Sequence, residues 1–376
     1  MVKPFVKWPG GKSEEIDIIH RYIPNDIQNY IEPFLGGGAC FLSLDVDSYN
    51  ESYVNDFSHE LISLYRMIKE NNEVFNNYLQ DIWNFWNSVS RFSVEFYNVI
   101  RGIYRNYKDN ILDDAKLKIE VNQFIDVSAY MLLEELPVSL SANRNRLLNE
   151  FNKSLLSKLK NIKRKELKDG DLPEADYKSN FEAGIRASIY TYYRYLYNHI
   201  SDYNIDEELN IALFYYIREF CYSSMFRYNN SGEFNVPYGG LSYNNKRFNS
   251  KIENIRNEEL QNILVNAEIY NLDFEDFLRR LDINNNDFMF LDPPYDGGFS
   301  TYANNTFEQE DQIRLANYLI NECESRFMLV IKNTDFIANL YGERRNINII
   351  GFAKDYKVSF MDRNDKNVKH LLITNY

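Results

Sequence analysis

Short apolar runs alternate with segments of helical spacing at both ends of the chain, and this alternation predicts an α/β fold. The apolar runs predict strands at residues 29–34, 53–57, 267–272, 288–291, 327–333, 347–352 and 369–376. Apolar residues recur at helical intervals in 58–70, 274–281 and 310–324, and Ser58 is placed to cap the first of these helices. Strands that alternate with helices predict a largely parallel sheet covered on both faces.

The middle of the chain shows mostly helical spacing and no clear strand pattern. Its segment 188–200 is rich in tyrosine, and aromatic residues at helical spacing favour packing in a helical core over stacking on bases. The polar stretch 168–180 predicts a flexible connection. We therefore expect a discontinuous α/β domain, 1–70 plus 255–376, into which a mainly helical domain, 71–254, is inserted.

Composition places the chain among ordinary globular proteins. The 376 residues are 44% apolar and 16% aromatic, which allows a sizeable core. Cys40, Cys221 and Cys323 lie far apart and form neither a zinc pattern nor a disulfide framework, which predicts a reducing compartment. The four histidines are scattered, so no metal site is expected. No signal-peptide pattern or membrane-span length is found, which predicts a cytoplasmic protein.

The charge pattern qualifies this description. A net charge of −13 argues against nucleic acid as a partner, because phosphate binding draws on clustered Lys and Arg. One local exception is the run 153–168, which contains Lys160, Lys163 and Arg164 and a single acid, Glu166. Basic runs are also common on solvated helix faces, so a DNA-binding face and a solvated face are both compatible with this run.

Two predicted strands end in residues that suit a nucleotide. Ligands of parallel α/β sheets bind beyond the carboxyl ends of the strands. The glycines of EPFLGGG (32–38) permit close approach of the backbone to a ligand, and Asp56 of VNDF stands where nucleotide-binding folds place a carboxylate for ribose hydroxyls. Each motif alone has an ordinary alternative, a tight turn for the glycines and a helix cap for Asp56.

A third strand ends in LDPPY (291–295). Two consecutive prolines fix the backbone, so the Pro293 carbonyl is held beside the Asp292 carboxylate and the Tyr295 ring. This frame contains two hydrogen-bond acceptors and one stacking surface. It suits an exocyclic amino group on a flat ring, which offers two N–H donors and a π-face.

In this order, the motifs resemble those of the Dam-type DNA adenine-N6 methyltransferases (D12 class, alpha group), which use S-adenosylmethionine. FVKWPGGK (5–12) resembles the N-terminal cofactor motif of that family, EPFLGGG its glycine motif, VNDF its ribose-binding acid and DPPY its catalytic tetrapeptide. FRYNNSGEFNVPYGG (226–240) resembles its DNA-reading hairpin, and HLLITNY (370–376) its closing strand. The resemblance implies a Rossmann-like methyltransferase sheet with an inserted, mainly helical target-recognition domain that carries a β-hairpin.

The resemblance also implies roles for single residues. Asp292 and Pro293 would accept the two hydrogens of the adenine amino group, Pro294 would help to fix the tetrapeptide, and Tyr295 would stack on the base. The residues implied to bind or line the pocket of S-adenosylmethionine, with S-adenosylhomocysteine as product, are Trp8, Gly11, Lys12, Phe34, Gly36, Asp56, Asp273, Phe274 and Asp292. No metal is implied.

For DNA, the resemblance implies that Arg227 contacts a guanine and that Tyr228 fills the space left by a flipped base. Asn229, Asn235 and Pro237 would shape the hairpin and touch the DNA backbone, although these residue types also form turns by themselves.

The loop that closes over the flipped base would contain Ser300 and Tyr302. The extra helical segment, with Lys160, Lys163 and Arg164, would extend the footprint on DNA, recognise a longer site or bind a partner.

The implied function is sequence-specific methyl transfer from S-adenosylmethionine to N6 of adenine in double-stranded DNA, with base flipping. N4-cytosine methylation and a DNA-binding protein that has lost activity are the alternatives. The Asp of DPPY favours adenine, and intact Lys12, Asp56 and Tyr295 favour an enzyme. A cognate restriction endonuclease is one expected partner. The target sequence, GATC included, stays open.

Overall fold

The computed structural model describes residues 2–295, 307–342, 344, 346–354 and 368–376. The chain folds into two compact units. The first unit comprises Met1–Glu70 and Ile255–Tyr376, and the second comprises Asn71–Asn254.

The first unit contains a sheet of seven strands within the described residues. In chain order the strands are β1 (Asn29–Glu32), β2 (Glu51–Asn55), β3 (Ala267–Tyr270), β4 (Phe288–Leu291), β5 (Arg326–Lys332), β6 (Asn348–Lys354) and β7 (Val368–Thr374). Their order across the sheet is β3-β2-β1-β4-β5-β7-β6. The pairs from β3 to β5 are parallel, and β7 runs antiparallel to both β5 and β6. The predicted α/β class with a largely parallel sheet is thus confirmed.

Helices make up most of the remaining regular structure. Among the described residues they are α1 (Ile16–Tyr22), α2 (His59–Lys69), α3 (Glu73–Glu95), α4 (Tyr97–Lys108), α5 (Asp114–Ser128), α6 (Tyr130–Glu135), α7 (Arg144–Asp169), α8 (Glu174–Asn198), α9 (Glu207–Phe220), α10 (Phe248–Ile255), α11 (Glu258–Val265), α12 (Phe274–Arg280), α13 (Gln309–Asn321) and α14 (Asp335–Tyr341). Short 3-10 helices lie at Phe41–Ser43, Val46–Ser48, Val138–Leu140, Ser201–Tyr203, Tyr222–Ser224 and Leu241–Tyr243.

The sheet order places a ligand crevice beside β1. This strand pairs with β2 on one side and with β4 on the other, through Ile31↔Tyr53 and Ile31↔Met289. The chain thus runs from β1 through β2 to β3 on one side and then crosses to β4 on the other side of β1. Such a switch point opens a crevice at the carboxyl ends of the strands. All four residues of β4 are buried, as expected for a central strand covered on both faces.

Local sequence explains the helix that follows β2. The Ser58 hydroxyl accepts a hydrogen bond from the Leu61 N–H at 3.4 Å and caps the first turn of α2. Leu61, Leu64 and Ile68 recur along one face and are buried. The predicted helix 58–70 and its cap are confirmed.

The second unit is a helical body in which α7 packs on α8 and α3 packs on α9. Tyr190, Tyr192, Tyr193 and Tyr197 of α8 are buried. The expectation that the aromatic residues of 188–200 pack inward is confirmed.

The connection between α7 and α8 is shorter than the sequence predicts. Helix α7 continues to Asp169, where Gly170 adopts a positive φ of 86°, and α8 already begins at Glu174. Pro173 precedes the helix, and Glu174 and Asp176 lie in its first turn, where acids favour helix formation. The prediction of a flexible stretch over 168–180 is therefore wrong for most of its length.

Candidate active site

A cavity of about 310 Å³ lies at the carboxyl ends of β1, β2 and β4 in the first unit. Its walls come from the N-terminal segment, the glycine loop after β1, the start of α12 and the tetrapeptide after β4. The lining includes every residue that the sequence assigns to the cofactor or to catalysis: Trp8, Gly11, Lys12, Phe34, Gly36, Asp56, Asp273, Phe274, Asp292, Pro293, Pro294 and Tyr295.

Backbone geometry explains the glycine at position 36. Gly36 has a positive φ of 50°, and a Cβ atom there would lie 2.9 Å from Cδ1 of Trp8. The indole can therefore cross the loop only where no side chain is present. Trp8 belongs to the cavity wall.

Asp56 links the glycine loop to the start of α2. Its Oδ2 accepts the Gly36 N–H at 2.8 Å, and its Oδ1 accepts the Ser58 N–H at 2.9 Å. Burial raises the pKa of Asp56, while the N–H groups of Ser58, Gly36 and Phe57 act in the opposite direction. The carboxylate is thus held by backbone donors at the edge of the cavity.

Lys12 is buried and contacts the tetrapeptide 292–295 directly. Its ammonium forms an ion pair with Asp292 Oδ1 and donates to the Gly10 carbonyl at 2.9 Å and to the Tyr295 hydroxyl at 3.1 Å. An ammonium has three N–H donors, so these contacts account for all of them. Lys12 therefore orients the tetrapeptide as well as lining the cavity.

His370 of β7 lies behind Tyr295 and was missed in the sequence. Its Nε2 is 3.1 Å from the Tyr295 hydroxyl, and its buried ring stacks on Phe352 with centroids 5.7 Å apart. Because the hydroxyl oxygen accepts from Lys12, its own proton is available to Nε2 when His370 carries its proton on Nδ1. The only sequence signal was a histidine that opens a buried apolar strand.

Glu32 is a second buried carboxyl group in the lining that the sequence did not single out. Its Oε2 accepts the Tyr30 hydroxyl at 2.6 Å and the Phe41 N–H at 3.2 Å. Burial raises the pKa of Glu32 well above its usual range. The carboxyl group fixes the far end of the glycine loop, and its position at the end of β1 was the available signal.

Three aromatic rings form one side of the cavity. Phe34 packs on Phe274 and Phe307 with centroids 5.5 Å apart in each pair. Asp273 caps α12 through the Glu275 N–H, and its carboxylate also pairs with Arg314 at 2.7 Å. This wall is apolar, and the Asp273 carboxylate is tied to α13.

The 226–240 segment forms a hairpin in the second unit. Tyr228 and Phe234 pair as an antiparallel bridge, and the Asn235 N–H donates to the Arg227 carbonyl at 3.0 Å. The Asn229 side chain accepts the N–H groups of Ser231 and Glu233 and so forms the turn.

The predicted DNA-contacting side chains of this hairpin differ in exposure. Arg227 and Pro237 are exposed, while Tyr228, Asn229 and Asn235 are half-buried. The Arg227 Nε donates to Asn235 Oδ1 at 2.8 Å, so one side chain orients the other.

The predicted DNA-binding residues of α7 make contacts within the second unit. Lys160 pairs with Asp114 at 2.6 Å, and Lys163 donates to the Tyr107 carbonyl at 2.6 Å. Arg164 is exposed and donates to Asn161 at 2.6 Å. Ser300 and Tyr302, predicted for the closing loop, lie outside the described residues.

Metal ligands and membrane-spanning helices are both missing from the described residues. These residues contain no group of three or more His, Cys, Asp or Glu side chains that could hold a metal ion. Within the same ranges, every helix is too short or too polar to cross a membrane.

Comparison with known proteins identifies the family of this chain. Residues 8–146 and 137–354 match the family model of the D12 class N6 adenine-specific DNA methyltransferases, and the chain belongs to this family. It is similar to the type II methyltransferase M.CviBI of Paramecium bursaria Chlorella virus NC1A, with 26% identity over 100% of both chains. It is also similar to the type II methyltransferase M.MjaIII of Methanocaldococcus jannaschii, with 27% identity over 100% of this chain and 99% of the relative.

A shorter match links the chain to a bacterial methylase. The DNA adenine methylase of Salmonella typhi is 23% identical over 89% of this chain and 81% of its own length. The protein is an adenine-specific DNA methyltransferase that methylates N6 of adenine in DNA, and methyltransferases of the D12 class use S-adenosylmethionine.

Proposed function

We propose that the cavity binds S-adenosylmethionine, that the tetrapeptide 292–295 receives an adenine flipped out of duplex DNA, and that the 226–240 hairpin reads the surrounding sequence. The observation that carries this proposal is the ion pair between Lys12 and Asp292, because it ties the tetrapeptide to the N-terminal segment that lines the same cavity. A methyl donor in the cavity and an amino group at Asp292 would then be neighbours.

The cavity residues fit S-adenosylmethionine chemically. The volume of about 310 Å³ lies at the lower end of ligand cavities. The carboxylate of Asp56 suits ribose hydroxyls, the rings of Phe34 and Phe274 suit the adenine ring, and Gly36 allows close approach of the backbone. When bound, S-adenosylmethionine supplies a methyl group already activated by its sulfonium.

The tetrapeptide supplies acceptors for the amino group of the target adenine. Lys12 engages Oδ1 of Asp292, so we assign Oδ2 and the Pro293 carbonyl to the two hydrogens of N6. Accepting both hydrogens favours a tetrahedral nitrogen and directs its lone pair towards the methyl donor. Positioning of this kind can account for about 7–11 kcal/mol of a barrier.

Tyr295 would stack on the flipped base. Flipping costs a few kcal/mol, which stacking and hydrogen bonds must offset. Lys12 and His370 hold the phenol hydroxyl from two sides, which supports a fixed ring rather than a mobile one. We assign Ser300 and Tyr302 to the loop that closes over the base.

The exposed side chain of Arg227 is our candidate for the contact with guanine, since a guanidinium binds O6 and N7 bidentately. Tyr228 would occupy the space left by the flipped base. Asn229, Asn235 and Pro237 would shape the hairpin and touch the DNA backbone.

The test is transfer of tritium from labelled S-adenosylmethionine to plasmid DNA, followed by chromatography of the nucleosides. We expect label in N6-methyladenine for the wild type and for Asp282→Asn, a matched change at an exposed acid before β4. Asp292→Asn and Asp292→Ala should lose transfer by about 100-fold or more, as for other positioned proton acceptors. Label in N4-methylcytosine, or full activity in Asp292→Ala, would contradict the proposal.

We also propose that a cognate restriction endonuclease acts on the same site. The support is that two relatives of full length carry type II methyltransferase names. Methylation-sensitive long-read sequencing of DNA from expressing cells would identify the site. An endonuclease from the source organism should then cut unmethylated plasmid at that site, and an extract that leaves the plasmid intact would contradict this part.

A further inference from the structure

The second limb of the 226–240 hairpin, which contains Phe234 and Val236, is held by one face of helix α8. Asn198 forms a reciprocal pair with Phe234: its Nδ2 donates to the Phe234 carbonyl and its Oδ1 accepts the Phe234 N–H, both at 3.0 Å. The Val236 carbonyl accepts the Tyr190 hydroxyl at 2.9 Å and Arg194 Nη1 at 2.7 Å. Tyr190, Arg194 and Asn198 stand on successive turns of the helix, and we call them the α8 anchor.

The segment that leads into the first limb, which contains Arg227 and Tyr228, is held by a residue of α9. Arg218 is buried, donates to the carbonyls of Ser224 and Met225 at 2.9 Å each, and lies 3.3 Å from the ring centroid of Phe226. Ser223 and Ser224 both have a positive φ of 52°. Non-glycine residues in this region are strained and persist only where surrounding contacts enforce them. The path into the hairpin is therefore imposed by the helical body.

These contacts converge on the residue proposed to read DNA. Asn235 lies between the two positions that the α8 anchor holds, Phe234 and Val236. Its N–H donates to the Arg227 carbonyl at 3.0 Å, and its Oδ1 accepts the Arg227 Nε at 2.8 Å. Both the backbone and the side chain of Arg227 are thus hydrogen-bonded to Asn235, which lies in the limb that α8 holds in place.

We infer that the α8 anchor determines the sequence specificity of methylation, with Asn198 as a positioning residue that acts on Arg227 through the second limb. This inference rests on the proposed role of the hairpin in reading DNA. A bidentate guanidinium contact discriminates between bases only if the position of the arginine is fixed. Fixing the arginine before binding also reduces the entropy that is lost on binding. The Tyr-rich helix 174–198 therefore acts on specificity without touching a base.

The test compares substitutions in one helix. Asn198→Leu removes both bonds to Phe234, whereas Asn198→Asp keeps an acceptor for the Phe234 N–H and loses the donor. Asn180→Leu is the matched control, because Asn180 also belongs to α8 but donates to the Asp176 carbonyl of its own helix. Arg227→Ala tests the role of the hairpin itself. The substrate is a duplex with the site identified by sequencing, and near-cognate duplexes carry single base changes.

We expect Asn198→Leu to raise the KM for DNA roughly tenfold and Asn198→Asp to raise it less, since Asn198→Leu loses both bonds to Phe234 and Asn198→Asp loses one. Discrimination against near-cognate duplexes should fall in the same order. The dissociation constant of S-adenosylmethionine, measured by calorimetry, should equal that of Asn180→Leu. A KM and a discrimination ratio in both Asn198 variants that match Asn180→Leu would overturn the inference.

Three other outcomes are decisive. If Asn198→Asp weakens S-adenosylmethionine and DNA alike, the residue is merely structural and the inference fails. If Arg227→Ala keeps full discrimination, the hairpin does not read DNA and the proposed function fails at that point. A loss in Arg227→Ala with no change in either Asn198 variant would overturn the inference while leaving the proposed function intact.

Discussion

Asp56 and Glu32 are two carboxyl groups in the lining of one cavity, and their hydrogen bonds give them different chemistry. Asp56 receives backbone N–H groups on both oxygens, which favours its ionised form against burial. Glu32 is held mainly by the Tyr30 hydroxyl, and burial raises its pKa well above the usual range. Because backbone N–H groups oppose the effect of burial at Asp56, we expect Asp56 rather than Glu32 to serve as the ionised acceptor.

The first prediction concerns the binding of S-adenosylmethionine by Asp56. Ribose hydroxyls need an acceptor, so affinity should fall as pH decreases through the pKa of Asp56, which burial raises above 3.8. Calorimetric titrations from pH 8 down to pH 5 measure this. Asp56→Asn should bind S-adenosylmethionine at least about tenfold more weakly at every pH, because the amide N–H of the new side chain would face one of the backbone N–H groups that now donate to the carboxylate. An affinity independent of pH, together with unchanged binding by Asp56→Asn, would contradict the role of Asp56.

The second prediction concerns stability and Glu32. A raised pKa in the folded state means that its stabilising effect is complete at low pH and is lost as pH rises towards that pKa. Wild-type protein should lose up to about 1.4 kcal/mol per pH unit relative to Glu32→Gln, which imitates the protonated form. Calorimetric melting temperatures of both proteins at pH 6 and 8.5 measure the difference. A difference that stays constant with pH would mean that Glu32 does not retain its proton in the fold.

At the scale of elements, helix α7 contains basic residues with two distinct settings. Lys163 is bound to the Tyr107 carbonyl and to Asn110 Oδ1, so it joins α7 to the end of α4. Arg164 is exposed. Part of the run 153–168 therefore serves to connect helices, and any contact with DNA depends on its exposed residues.

The third prediction separates these settings. If α7 lies on DNA, Arg164→Ala should reduce the salt dependence of binding by about 0.9 in the log–log slope, the value for one phosphate contact. Lys163→Met should instead lower stability by about 1 kcal/mol through its lost hydrogen bonds. Fluorescence anisotropy at several salt concentrations and calorimetry measure the two effects. A slope in Arg164→Ala equal to that of Lys178→Ala, an exposed lysine of α8, would favour the solvated face.

The sequence predicts those elements whose signals are local. The β4 strand and the α2 helix follow from an apolar run and from a cap with helical spacing, and the cavity residues follow from the resemblance of the sequence motifs to those of the family. The contact of His370 with Tyr295 depends on the antiparallel insertion of β7 beside β5, which no local pattern encodes. The α8 anchor was hidden for a related reason, because Asn198 and Phe234 meet only after the helical body has formed.

At the scale of the whole molecule, the residues that line the cavity all belong to the first unit, Met1–Glu70 with Ile255–Tyr376. The hairpin and its α8 anchor belong to the second unit, Asn71–Asn254. In the proposed function, the cofactor and the target adenine are therefore assigned to the first unit and the reading of the surrounding sequence to the second, so the effect of the cofactor on local stability can be measured in each unit separately.

The fourth prediction follows from this division. S-adenosylmethionine at 100 times its dissociation constant stabilises the state that binds it by about 2.7 kcal/mol. Hydrogen exchange monitored by mass spectrometry should show added protection in β1 and the glycine loop, with little change in α8 and α9. Equal protection of both units would show that they unfold together, and it would contradict the assignment of the cofactor to the first unit alone.

The long separation of β1 and β4 in the chain has a consequence during synthesis. β1 ends at Glu32, and its neighbour β4 begins at Phe288. At ordinary translation rates, roughly ten to fifty seconds pass between them. The whole helical unit is synthesised in that interval. Until β3 and β4 follow, the outer edges of β1 and β2 have no partner strand, and unpaired strand edges are templates for aggregation. The yield of native enzyme should therefore depend on chaperones and on translation speed across the insert, more than on the stability of the finished fold.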